Sequence, residues 1–151
     1  MTDDVLINKA ATIERCVKRA REEYARGPAT FATDFTRQDA AILNIQRACE
    51  AALDMGQHVI RREKLGLPQG ARDVFALLAQ GGWIDAGLAD GLKRMVGFRN
   101  IAVTTTRACS CRSPWPLLKT IWTYFFATAY WFCCATRRHR THDAEDAPCK
   151  A

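Results

Sequence analysis

The chain has 151 residues, of which 48% are hydrophobic and 25% are charged, and these proportions are typical of a globular protein and exclude a disordered one. This length suffices for one domain with one hydrophobic core. The net charge of +6 favours an anionic partner such as RNA. The chain starts acidic and no apolar run follows, so we expect a cytoplasmic protein without a secretion signal, in which the seven cysteines need not pair.

The first predicted element is a helix over residues 6–24. Its apolar residues recur at spacings of four and three and form one stripe, made of Leu6, Ala10, Ile13, Val17, Ala20 and Tyr24. Gly27 and Pro28 are expected to stop this helix. In the short connection that follows, Phe31 and Phe35 are both predicted to enter the core.

The second predicted helix is the longest. It is expected to begin near Thr36 or Asp39 and to run to about Glu63, because an apolar stripe continues through this range. Gly66 and Pro68 are expected to close it.

Two further helices complete the pattern up to residue 103. Residues 71–80 predict a short third helix with an apolar side made of Val74, Leu77 and Leu78. Asp85 is placed to cap a fourth helix, which carries Arg99 and Asn100 at its far end. No alternating pattern typical of strands occurs in residues 1–103, so the predicted fold class is all-α, with helices 1, 2 and 4 forming the core and the third bridging.

The end of the fourth helix carries the most informative motif. Residues 99–106 read RNIAVTTT, and on a helix positions 99 and 106 share one face while positions 100 and 104 share the next. Together with residues 95–98 and residues 44–50, this run resembles the HepT-like branch of the HEPN superfamily, whose signature is R-N-x-x-x-H-x-Y. The resemblance covers residues 5–103 in register and implies a HEPN-type up-down helical bundle.

The resemblance also implies an activity and partners. These proteins are endoribonuclease toxins that cut RNA without a metal or another cofactor, with an arginine to grip phosphate oxygens and a histidine to move protons. They act as homodimers whose paired motifs form the RNA cleft. The implied antitoxin is a minimal nucleotidyltransferase (MntA), which silences the toxin by adding AMP to the motif tyrosine.

The chain departs from the signature at its two reactive positions. Arg99 and Asn100 match, but Thr104 stands at the histidine position and Thr106 at the tyrosine position that accepts AMP. A threonine hydroxyl does not titrate near neutral pH, and no neighbouring base in the sequence would activate it. We therefore expect an impaired nuclease that the antitoxin cannot silence by AMP transfer to the motif tyrosine.

The genetic code offers an explanation for the three consecutive threonines. Threonine codons are ACN, so reading residues 104–106 one base earlier gives NAC codons, which encode only His, Asp, Asn or Tyr. The shifted frame can therefore spell the expected His-Asp-Tyr, and the codon pair of Trp122 and Thr123 would encode Asp. We expect residues 1–103 to form the HepT-like domain. Residues 104–151, rich in cysteine and tryptophan, are then the product of a frameshift that replaces the last helix with an apolar tail.

Three alternatives remain open. The chain could be a non-catalytic module for dimerisation or antitoxin binding. Residues 115–136 could anchor it in a membrane, since their apolar run approaches the ~20 residues that cross a bilayer, although this leaves the codon pattern unexplained and a membrane is not the expected partner. A zinc site could form in the tail, but adjacent cysteines fit structural zinc spacing poorly; its candidate ligands are Cys133, Cys134, His139, His142 and Cys149.

Overall fold

The computed structural model describes residues 3–31 and 33–105. This part of the chain forms four helices and contains no strand, so the predicted all-α class is confirmed. The helices are α1 (Asp4–Ala25), α2 (Phe35–Glu63), α3 (Ala71–Gln80) and α4 (Ala86–Thr105). The apolar tail that is predicted to replace the last helix, from residue 106 on, lies outside the described residues.

Helix α2 is the centre of the bundle. It packs along the whole of α1 on one side and against α3 and α4 on the other. Helix α3 contacts both α2 and α4, as its predicted bridging position requires. It also contributes Val74, Phe75 and Leu78 to the buried core, so the core draws on all four helices. Phe75 was absent from the predicted stripe.

The connection between α1 and α2 corrects one prediction. Phe31 is buried, and its ring meets that of Tyr24 edge-on at a centroid distance of 5.3 Å. Phe35, in contrast, is 70% exposed, so its predicted burial is wrong. It is the first residue of α2, directly after Asp34, whose carboxylate accepts a hydrogen bond from the Arg37 backbone N–H. That cap fixes the helix start, and it leaves the Phe35 side chain facing solvent.

The end of α2 differs from the prediction in one residue. The helix ends at Glu63 as expected, but Lys64 rather than Gly66 adopts the left-handed cap conformation, with φ 53° and ψ 42°. The backbone N–H of Leu65 donates to the Ile60 carbonyl across this turn at 3.1 Å. Gly66 follows with φ 131°, so the glycine serves the loop rather than the cap.

Helices α2 and α3 approach most closely at Gly56. A Cβ built on this residue would lie 2.5 Å from Val74 Cγ1 and 3.2 Å from a methyl carbon of Leu78. Only a glycine allows this spacing without a shift of α3. The contact sets the position of α3 relative to α2, and the start of α3 lies beside the end of α4.

Candidate functional site

Arg99 lies near the end of α4 and faces the middle of α2. Its Nη2 atom donates a hydrogen bond to Glu50 Oε1, and the two side chains form an ion pair. The side chain of Arg99 is 31% exposed and that of Glu50 is 60% exposed. The guanidinium is therefore held in place from one side while part of it remains accessible to a ligand.

Arg99 and Asn100 lie in two different shallow grooves, which meet at the start of α3. Arg99 lines a groove of 440 Å³ together with Glu50 and Gln57. Asn100 lines a second groove of 590 Å³ together with Arg72 and Lys93. The walls that both grooves share are Gln69, Gly70 and Ala71.

The start of α3 adds positive polarity between Arg99 and Asn100. The first backbone N–H groups of a helix carry partial positive charge. The Asp73 carboxylate turns back toward this end and accepts a hydrogen bond from the Gln69 N–H at 2.9 Å. Arg72 and Lys93 bring two further cations to the Asn100 side. The groove around Asn100 thus has two cations against the one carboxylate of Asp73, and Lys93 Nζ also lies 3.8 Å from Asp90 Oδ1.

The threonine positions are placed only in part. Helix α4 continues through Thr105, so Thr104 stands one helical turn beyond Asn100, as the sequence spacing required. Thr106 lies outside the described residues. Three of the four motif positions, 99, 100 and 104, therefore lie at one end of α4.

Sequence reasoning missed the role of Glu50, as it missed Arg72 and Lys93 beside Asn100. Glu50 belongs to the second-helix segment that resembles the family, but it was assigned no function. Its position on an exposed face of α2 gives no sign in sequence that it meets Arg99, because the two residues are 49 positions apart. Cys49, next to it, is fully buried, and burial raises the pKa of its thiol to about 12 in spite of the opposing charge of Arg99. This cysteine therefore stays protonated and is not a nucleophile near neutral pH.

The alternative sites fall largely outside the described part of the chain. Within residues 3–31 and 33–105, no group of three His, Cys, Asp or Glu side chains could hold a metal ion. No helix in those same ranges is long and apolar enough to cross a membrane. The proposed zinc ligands and residues 115–136 lie beyond them.

His58 takes a structural position away from the motif. Its Nε2 atom lies 2.8 Å from Asp3 Oδ2, which also accepts a hydrogen bond from Arg62 Nη1 at 2.7 Å. The side chain is one-third exposed. These contacts tie the start of α1 to the last third of α2.

A helical bundle with an Arg-Asn pair near the end of α4 is the arrangement expected of a protein of the HEPN class. A sequence model described as "Ribonuclease HepT-like" matches residues 13–105. The chain is 54% identical over 101 residues to a Shewanella oneidensis protein named mRNA nuclease HepT, a match that covers 67% of this chain and 75% of that protein. The chain belongs to the HepT-like family.

Solved structures of similar proteins agree with the fold. A crystal structure of a toxin–antitoxin with AMP-PNP contains a chain that is 40% identical, with a TM-score of 0.77; the match covers 90% of this chain and 99% of that one. The tri-AMPylated Shewanella oneidensis HEPN toxin, solved in complex with its MNT antitoxin, is 40% identical with a TM-score of 0.76; the match covers 91% and 99%.

Proposed function

We propose that this chain is a HepT-type toxin that still binds RNA but has lost most of its ribonuclease activity. The observation that supports this proposal most directly is the geometry at the end of α4. Arg99 is oriented by Glu50 yet remains partly accessible, and threonine occupies the position where the family has its histidine. The phosphate-binding half of the site is present, and the proton-transfer half is absent.

Arg99 is the proposed phosphate ligand, with Asn100 beside it. The planar fork of a guanidinium suits two oxygens of one phosphate. Glu50 competes for the same donors, so RNA binding requires the ion pair to open or to share its bonds. Arg72 and Lys93 near Asn100 would attract the neighbouring phosphate of the same strand.

Thr104 and Thr106 explain the proposed loss of activity. Cleavage needs a group that accepts the proton of the attacking 2′-OH, and general acid–base catalysis typically contributes about a hundred- to ten-thousand-fold. A neutral hydroxyl supplies little of this at pH 7. The same change at position 106 removes the phenol that the family's antitoxin modifies, so loss of cleavage and loss of this silencing step accompany each other.

A frameshift near codon 104 is the proposed cause, and it divides the chain into a HepT-like domain at 1–103 and an aberrant tail at 104–151. The family match ends at residue 105, which supports this boundary. Identity is 54% over 101 residues but 40% when the match covers 91% of the chain. The additional length therefore contributes few identical residues.

The proposed partners are RNA, a second copy of this chain and an antitoxin of the nucleotidyltransferase class. Support for the antitoxin comes from two relatives that were solved as toxin–antitoxin assemblies. A dimer would bring two Arg99 ends together, which doubles the number of phosphates held by one assembly.

The decisive experiment restores the reading frame. We expect the gene, sequenced across codons 100–126, to encode His and Tyr at positions 104 and 106 in the neighbouring frame. The frame-restored protein should cleave RNA, whereas the present chain should bind the same RNA and leave it intact. The Arg99→Ala variant of the restored protein is the control that ties cleavage to this site. Failure of the restored protein to cleave RNA would contradict the proposal.

A second candidate is a non-catalytic module that binds the antitoxin or a second copy without RNA. It is favoured by the same loss of the two reactive residues. Co-purification with a nucleotidyltransferase antitoxin, together with no RNA binding at low salt, would support it in place of the first. Recovery of the chain in the membrane fraction would instead support an anchor in residues 115–136.

A further inference from the structure

A groove of 630 Å³ runs between α1 and α2, away from the four-residue motif. Helix α1 contributes Lys9, Arg15 and Arg19 to its walls, and α2 contributes Arg47 and two carboxylates. We propose that this groove binds the phosphates of the RNA strand next to those held at Arg99. The inference rests on the proposed RNA binding and extends it to a second surface.

The groove contains two arginines whose charge is not neutralised by a nearby carboxylate. Lys9 Nζ pairs with Asp54 Oδ2 at 2.6 Å, and Arg19 Nη2 pairs with Glu23 Oε1 at 2.7 Å. Arg15 and Arg47 are exposed and form no ion pair with the described residues. They stand on opposite walls, so both can face a strand that lies in the groove.

The groove is continuous with the site at the end of α4. Glu50 and Asp54 line both this groove and the 440 Å³ groove that contains Arg99. A single strand that contacts Arg99 can therefore pass over Glu50 and continue between α1 and α2. The row of cations it would meet is Arg99, Arg47 and Arg15.

The chemistry of the groove fits a nucleic-acid backbone better than a protein. Its other lining residues are small or polar, namely Thr12, Cys16, Asn44 and Ala51. Within residues 3–31 and 33–105, it offers no large apolar or aromatic side chain of the kind that anchors protein partners. Unpaired arginines in a polar groove match the evenly spaced charges of single-stranded RNA.

The test is RNA binding as a function of salt concentration. The full chain and its Arg15→Ala/Arg47→Ala variant are titrated with a fluorescein-labelled single-stranded RNA of mixed sequence, and anisotropy is measured at increasing KCl. Since each phosphate contact on a single strand contributes about 0.7 to the slope of log K against log salt, the double variant should lower that slope by about 1.4. Its affinity at low salt should fall about tenfold or more.

A matched control separates this effect from a general loss of charge. Lys18→Ala/Arg61→Ala removes one exposed cation from α1 and one from α2, outside the groove, and neither residue pairs with a described carboxylate. We expect its slope to stay within about 0.3 of the parent's, since long-range attraction is screened at these salt concentrations. An Arg15→Lys/Arg47→Lys variant should retain the slope, because it keeps both charges.

The outcomes are distinguishable. If the parent binds RNA and the groove variant behaves like its control, the groove inference is overturned and the proposed function stands. If the parent does not bind RNA at all, both fail. If the groove variant binds RNA normally but loses a nucleotidyltransferase antitoxin, the groove is a protein interface and the inference is again overturned.

Discussion

Arg99 is shared between an internal partner and a proposed external one. Glu50 belongs to α2, so the ion pair fixes the direction of the guanidinium before any ligand arrives. An exposed ion pair of this kind contributes at most about 1 kcal/mol to stability. The pair is therefore weak enough for a phosphate to displace and serves to orient Arg99 rather than to hold the fold.

Substitutions at the two partners should have opposite effects on RNA binding. Arg99→Ala removes a charge-assisted bidentate contact of about 1.5–3 kcal/mol, so we expect a roughly tenfold to hundredfold loss of affinity. Glu50→Gln removes the competing charge and should leave affinity unchanged or raise it. Anisotropy titrations at one salt concentration measure both, with thermal unfolding as the check on folding. The amide oxygen left by Glu50→Gln can still accept the orienting hydrogen bond, so a parallel loss in that variant would mean that the charge of Glu50 is needed to position Arg99.

A second set of charged residues links the start of α1 to the end of α2. Burial raises the pKa of the Asp3 carboxyl. The hydrogen bond with His58 and the positive charges of His58 and Arg62 lower it by a larger amount, so the net pKa lies below its usual value. Arg62 also lies over the Trp83 ring, with its Cζ atom 5.5 Å from the centroid. One arginine thus connects three parts of the chain.

The contribution of Asp3 should depend on pH in a defined direction. A carboxyl whose folded pKa is lowered stabilises the fold above its unfolded pKa, near 4, and this stabilisation is lost as the pH falls through the lower folded pKa. Asp3→Asn should therefore destabilise the chain by about 1 kcal/mol at pH 7. The difference from the parent should shrink as the pH falls below 4, measured by urea unfolding. A difference that is constant from pH 7 to pH 3 would contradict this account.

At the scale of elements, the close packing of α3 against α2 depends on the absence of a side chain at residue 56. Gly56 lies inside a long helix, where glycine costs about 1 kcal/mol relative to alanine. The chain accepts this cost because a Cβ would overlap Val74. The position of α3 matters for function, since its start lies between Arg99 and Asn100.

Gly56→Ala should destabilise the chain despite the better helix propensity of alanine. Overpacking against Val74 and Leu78 costs about 1–3 kcal/mol, which exceeds the gain of about 1 kcal/mol. Gly97→Ala is the matched control, because among the described residues its added Cβ would meet only Arg72 Nη2, at 3.0 Å, the end of a flexible side chain. Chemical denaturation of both variants decides the point. Equal stability of the two would show that α3 shifts without cost.

The element-level pattern was largely predictable, because periodicity and stop signals are local. The bounds of α3 and the end of α2 came directly from them. Phe35 was misplaced because an aromatic residue beside a helix start can point either way, and the Asp34 cap decides which. The Arg99–Glu50 contact could not be predicted from the sequence, since residue 50 is brought to residue 99 only by the packing of α2 against α4. Pairwise packing of this kind leaves no periodic signal in sequence.

For the whole molecule, the outer face of α2 is the best candidate for contact with a second copy. Phe35 and Leu43 are 70% and 45% exposed. Leu43 and Glu50 are seven residues apart and share one side of α2, and Phe35 is the first residue of the same helix. This part of α2 leads toward Glu50 at the edge of the Arg99 site, where two copies would have to meet in the proposed dimer.

Phe35→Ser should weaken self-association. We expect the parent to sediment as a dimer at micromolar concentration and the variant to dissociate at least about tenfold more readily, because a large buried aromatic contributes over 1 kcal/mol to an interface. Val5→Ser is the control, since Val5 is 44% exposed at the start of α1, which Asp3 ties to His58 and Arg62 at the opposite end of α2 from Phe35. Sedimentation velocity over a concentration series measures both. Equal dissociation in the two variants would place the interface elsewhere.

The left-handed turn at Lys64 has a consequence for how the central helix responds to its surroundings. A residue with a Cβ gives up about 1 kcal/mol in that conformation relative to glycine, yet the lysine adds a third cation after Arg61 and Arg62 at the negative pole of α2. At this end of α2 the conformational cost of the lysine is offset by its electrostatic attraction to the helix dipole. Because mobile ions screen that attraction, the far end of α2 should fray more readily in concentrated salt than a glycine-terminated helix would, and hydrogen exchange at residues 59–63 would register it.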